Sequence, residues 1–168
     1  MATITGNTVT IVGAGTATIT ASQATDNNYN PGSITATLTV DKANSILSLN
    51  NINKVYGDSA FVINASGSGT GLISYSSSNT SVAAINGNTV TIVGAGNAII
   101  TATRAATANY NSGSITATLT VDKANPTISL SNINKEYGDT DFSITATSNS
   151  TGALTYTLDN AGVASISG

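Results

Sequence analysis

Few residues in this chain have the type and spacing that chemistry needs. There is no Cys and no His among the 168 residues. Disulfides, thiol chemistry, zinc held by nitrogen or sulfur, and imidazole acid/base work are therefore excluded by absence. Gly13-Ala14-Gly15 and Gly94-Ala95-Gly96 have the G-x-G form. A phosphate loop needs a third glycine and a following helix, and both are missing, so these glycines are expected to turn strand corners. Asp58 and Asp139 beside glycine, and Asp41 and Asp122 further on, could ligate Ca²⁺, which takes six to eight oxygens. Carboxylates this sparse fit turn caps and solvated charges better. Lys54 near Asn51 and Asn53 could form an isopeptide only with a buried carboxylate beside it, and no inward-phased Lys is visible. Tyr29, Tyr56, Tyr75 and their repeats could stack on surface glycans, but a Tyr at the end of a sandwich more often covers the core with its hydroxyl wet. Asp58-Ser59-Ala60 and Asn64-Ala65-Ser66 fit short glycosylation patterns. No cofactor and no metal is expected, and the chain does not read as an enzyme.

The elements that would position such residues follow one rule. Gly6 to Gly15 recurs unchanged as Gly87 to Gly96, an offset of 81 residues. The offset then holds without insertion or deletion: Tyr29 recurs as Tyr110, Val40 as Val121, Tyr56 as Tyr137, Phe61 as Phe142 and Tyr75 as Tyr156. The chain is an array, and repeats must be recognised before anything else is argued.

Composition narrows the partners. Charged residues are 8% and the net charge is −3. Five Lys+Arg cannot build the basic face that phosphate binding requires, so no nucleic acid partner is expected. Nothing approaches a membrane-spanning run, so no membrane insertion is expected. Met1-Ala2-Thr3 leads directly into strand-like sequence rather than a signal peptide. The expectation is an excised segment, with localisation to be inferred indirectly. An apolar fraction of 40% suffices for a core.

The complete period, 44–124, predicts seven short strands. Ser45–Leu49 is the first, followed by an irregular passage from Asn50 to Asp58. Phe61–Ala65 places Phe61, Ile63 and Ala65 on one face, and Leu72–Ser76 places Ile73 and Tyr75 inward. Val82–Ile85 turns at Asn86-Gly87 into Thr89–Val93, with Val90 and Ile92 inward. Ala98, Ile100 and Ala102 line the sixth strand, and Arg104 to Gly113 is a polar loop. Ile115, Ala117, Leu119 and Val121 alternate with threonine along the seventh. Strands of this length, with turn signals every eight to twelve residues, predict an all-β antiparallel sandwich.

Ser76-Ser77-Ser78-Asn79-Thr80-Ser81-Val82-Ala83, with Gly87-Asn88-Thr89-Val90-Thr91-Ile92-Val93-Gly94-Ala95-Gly96 and the strand that follows, resembles the bacterial immunoglobulin-like (Big) repeat. Tyr56-Gly57-Asp58 and Tyr110-Asn111-Ser112-Gly113-Ser114 resemble the subtype found in long arrays of very large bacterial surface proteins. The resemblance implies tandem seven-stranded immunoglobulin-like sandwiches, an extracellular location at the bacterial cell surface, and a role as adhesin stalk or spacer. It carries no catalytic residues.

On this reading 1–43 is the second half of a repeat (three strands), 44–124 is complete, and 125–168 is the first half (four strands). Neither half can bury its apolar face alone. The joints Asp41–Asn44 and Asp122–Asn125 reach about 13 Å each when extended, too little to bring the halves together across a complete repeat. Residues 125–168 and 7–43 together make one period, so a tail could complete the head of a neighbouring copy in a heterologous contact that propagates. The candidate assembly interface is Val9, Ile11, Ile19, Ile34, Leu38 and Val40 with Phe142, Ile144 and Tyr156. At roughly 1.5–2 kcal/mol each, the first six offer on the order of 10 kcal/mol gross. The other reading is a window on a longer array. Both give the same string of repeats, with neighbouring copies of the repeat as partners head to tail.

Overall fold

A computed structural model describes residues 2–167, which group into two units divided between Lys123 and Ala124. The chain is all-β, and no helix among the described residues is long and apolar enough to cross a membrane.

The first unit holds eleven strands: β1 (Ala2–Thr5), β2 (Thr8–Ile11), β3 (Gly15–Gln23), β4 (Gly32–Val40), β5 (Ile52–Val55), β6 (Phe61–Val62), β7 (Ile73–Ser77), β8 (Ala83–Asn86), β9 (Thr89–Ile92), β10 (Gly96–Arg104) and β11 (Gly113–Asp122). Residues 44–123 form a four-stranded sheet, ordered β5-β11-β10-β7, and a three-stranded sheet, ordered β6-β9-β8. Ile63, Val82, Ala83 and Val90 share one buried cluster with Ala98, Ile100, Leu119 and Val121. Both sheets therefore face one core, an arrangement consistent with a β-sandwich. The residues buried are those that the alternation phases inward. β-Branched Thr on the opposite face keeps the strands extended and wet.

Three local expectations are corrected. Ser45–Leu49 is not a ladder strand: Ser48 bridges Ser66 and the Ile46 amide donates to the Ser68 carbonyl, without a continuous ladder. The ladder lies in the passage expected to be irregular, where β5 runs parallel to β11. The Asn51 side-chain oxygen accepts from the Thr118 amide at 2.8 Å, which anchors the crossing from one sheet to the other. The hairpin turn is Gly87-Asn88 rather than Asn86-Gly87, because Asn86 already pairs with Thr89. Only Gly87 has positive φ (62°), as a turn with glycine first requires. Arg104 is the last residue of β10, not the start of a loop, and it is buried.

Residues 2–43 form two separate hairpins, β1–β2 and β3–β4, with the same registers as β8–β9 and β10–β11. The second unit contains β12 (Ile128–Ser129) and β13 (Thr147–Ser148), which pair antiparallel. Its segments 81 residues beyond β5, β6 and β7 are not strands. Their counterparts in the complete repeat pair only with β9, β10 and β11. A short extended segment without a ladder partner has no main-chain bonds to hold it as a strand.

Candidate assembly surfaces

The complete repeat is an internal control, because each residue of the half-repeats has a counterpart 81 positions away in a finished core. Val90 is fully buried, whereas Val9 is 40% exposed. Val82 is 4% exposed and Val163 is 80% exposed. Side chains of the same type and phase differ only in whether a second sheet covers them.

In the first half-repeat, Val9, Ile11 and Ile34 are exposed, and Ile19, Leu38 and Val40 are half-buried along the β3–β4 hairpin. Between Ala21, Gln23, Gly32 and Ile34 lies an open hollow of about 400 Å³. The equivalent of Ala21 in the complete repeat is Ala102, which pairs with Tyr75 of β7. In the second unit Phe142 is exposed, while Ile144 and Tyr156 are half-buried.

The second unit nevertheless repeats the local contacts of the complete one. The Tyr75 hydroxyl accepts from the Ala65 amide at 2.7 Å, and Tyr156 accepts from Ala146 at 3.0 Å. Lys54 sits 4.9 Å over the Phe61 ring and Lys135 sits 5.0 Å over Phe142. The Asp58 carboxylate accepts from the Val55 amide, and Asp139 accepts from Glu136. These contacts span short stretches of chain and form without a ladder.

They also decide several candidates. Asp58 and Asp139 cap turns. Lys54 is half-buried in phase with Ile52, contrary to the expectation that no Lys points inward, and its ammonium lies on an aromatic face. The Tyr75 hydroxyl is bonded to the backbone rather than left wet. Tyr29, Tyr56 and Tyr137 are exposed.

Two features were not read from the sequence. The first is Arg104. Its Nη1 donates to the carbonyls of Gly67 (3.2 Å), Ser68 and Gly69 (2.9 Å), and so gathers that loop onto the end of β10. The loop comes so close that a Cβ on Gly67 would lie 1.9 Å from the Ile46 carbonyl oxygen, and Gly67 itself has φ +136°. The inward phase Ala98, Ile100, Ala102, Arg104 was the available signal.

The second is the joint between residues 2–43 and the complete repeat. The loop after β10 grips it. Ala43 donates to the Asn109 carbonyl (3.0 Å) and accepts from the Asn111 amide (2.8 Å). Lys42 Nζ donates to the Thr107 carbonyl (2.8 Å), and the Ala14 amide donates to Asn109 Oδ1 (2.9 Å). The loop is shaped by the Thr107 amide bonding the Tyr110 carbonyl. Such a grip needs the folded loop and leaves no signature in the joint's own four residues.

No protein family matches the chain, and no curated protein matches it either.

Proposed function

We propose that this chain is part of a mechanical array of immunoglobulin-like sandwiches of the bacterial Big type, serving as the stalk or spacer of an extracellular adhesin at the bacterial cell surface. The observation that carries the reading is the gripped joint. Ala43 is bonded through its amide and its carbonyl to the 109–111 loop, and the Ala14 amide donates to Asn109 Oδ1, which supports a joint held in place rather than a free linker. A spacer works by transmitting force and resisting bending, and this coupling serves both. Stretching the tethered chain tests the reading. The 44–124 repeat should give one unfolding event that lengthens the tether by roughly 240 Å, its extended length less the folded span. Extension without a force peak would refute it.

Exposed Tyr29, Tyr56 and Tyr137 support a second reading, a sugar-binding surface. Binding on a glycan array that is lost with Tyr56→Ala would establish it, and a blank array would remove it.

A further inference from the structure

We infer that two copies of this chain pair edge to edge through β7, antiparallel about a two-fold axis at Tyr75, so that their four-stranded sheets run on into one another. The inference goes beyond the spacer reading and does not depend on it.

The free edge is the first observation. In the sheet order β5-β11-β10-β7, β7 pairs only with β10 among the described residues. That ladder uses the even-numbered residues: the Leu72 carbonyl accepts from the Ala105 amide at 2.9 Å, and the Ser78 amide donates to the Ile99 carbonyl at 2.9 Å. Main-chain groups alternate sides along an antiparallel strand, so the amides and carbonyls of Ile73, Tyr75 and Ser77 point out of the sheet edge. These main-chain groups have no partner among the described residues. An open groove of about 670 Å³, lined by residues 71–75 with Asn64 and Asn88, leaves the row accessible.

The other edges of this repeat are guarded. β5 carries Lys54, β6 has two residues, and on β8 the Ala83 amide is already taken by the Asn79 carbonyl. β7 has no charge, no proline and no bulge, the devices that keep an edge from pairing. Its row is also complementary to itself. Antiparallel pairing centred on Tyr75 sets Tyr75 opposite Tyr75 of the second copy and Ile73 opposite Ser77, and each such pair exchanges two main-chain bonds. No other antiparallel register uses all three residues. The contact is isologous and closes at two copies.

A second observation, on the outer face of the same sheet, selects the same partner. Along β7 and β10 that face is serine, threonine and Asn97, broken by two large apolar side chains: Leu72, 88% exposed, and Ile99, 42% exposed. In the centred register Leu72 stands opposite Ser78 of the second copy. Ser78 is itself bonded to Ile99, through its amide and through its hydroxyl. Strands lie about 4.8 Å apart, so Leu72 and the second copy's Ile99 flank one short serine across roughly 10 Å and close over it. The residues 81 positions away are Ala153 and Thr18, so this repeat carries a large apolar side chain at both places and its neighbours at neither. One exposed apolar residue is ordinary, but two matched by the register that the main chain prefers are covered together only by a second copy. The pairing runs the two chains in opposite directions, as arrays reaching out from facing surfaces would.

The test uses the whole chain, which has no native Cys. Light scattering up to about 1 mM, where weak interfaces fill, should show a mass rising towards twice the monomer. Over the same range, amide exchange by NMR should slow at Ile73, Tyr75 and Ser77 and stay unchanged at Ser74 and Ser76, which already pair with β10. Leu72→Ser should raise the concentration for half-dimerisation about tenfold, and Ser74→Lys should abolish pairing. Both positions are exposed, so both variants should keep the parent's melt by circular dichroism. Ser74→Cys mixed with Ser76→Cys reads the register, because Ser74 faces Ser76 across the axis. The mixed disulfide should form about fivefold faster than either homodimer. A mass that stays monomeric or climbs past twice the monomer, a mixed disulfide no faster than the homodimers, or parent-like association of Ser74→Lys would overturn the inference. So would protection of the three amides at monomer mass, which would mean that another segment of the same chain covers the edge. Scattering, exchange and crosslinking each stand without the Leu72 and Ser74→Lys variants, should either fail to fold.

Discussion

Replacing Arg104 with Ala tests how the complete repeat is closed at one end. The side chain is 5% exposed, and Nη1 serves three carbonyls of the Gly67–Gly69 loop. A hydrogen bond involving a charged group contributes about 1.5–3 kcal/mol net. One nitrogen shared among three acceptors amounts to one or two such bonds, and the guanidinium stem is also packed. Burying the charge costs something in return, since Nε has no partner. The balance is a loss of about 3 kcal/mol for Arg104→Ala. A two-sheet unit of about eighty residues without disulfides has little stability to spare. At about 4–8 °C per kcal/mol, the melting temperature should fall by roughly 12–24 °C. Arg104→Lys, with one compact ammonium, should fall between the two. Scanning calorimetry of the whole chain at low concentration reads all three. The competing effect is rehydration, because Gly67 and Ser68 are exposed enough for water to reach their carbonyls. A shift below about 4 °C for Arg104→Ala would mean that water replaces the guanidinium and that the clamp does not hold the loop.

Three further outcomes follow from the same geometry. Gly67→Ala should cost more than about 3 kcal/mol in chemical denaturation, because its Cβ would meet the Ile46 carbonyl oxygen at a backbone angle that L residues rarely adopt. Tyr75→Phe should cost about 1–2 kcal/mol by leaving the part-buried Ala65 amide without its acceptor, read as a lower urea midpoint at unchanged slope. Val90→Ala should destabilise the fold by about 2 kcal/mol or more, while Val9→Ala at the same place in the repeat should leave the melt within about 0.5 kcal/mol. Equal effects for the two valines would contradict the contrast in their burial.

The sequence by itself determined the period, the all-β class and the inward phase of the strands. These are written in nearest-neighbour chemistry: alternation decides which face of a strand is apolar, and identical decapeptides 81 residues apart announce the repeat. It also marked Val9, Leu38 and Phe142 as apolar positions in inward phase, and the structure leaves Val9 and Phe142 exposed and Leu38 half-buried. What only the tertiary structure decided lies between segments. The crossing at Asn51 depends on a bond to Thr118, the turn at Gly87 on which residues across the hairpin pair, and the placement of Arg104 on a loop 35 to 37 residues away. The grip on Ala43 depends on a loop that folds elsewhere in the chain. The clearest case is the stretch 81 residues after β7. It keeps the alternation and the tyrosine bond of β7 yet is not a strand, because a strand is a property of two segments and its ladder partner is absent beside it.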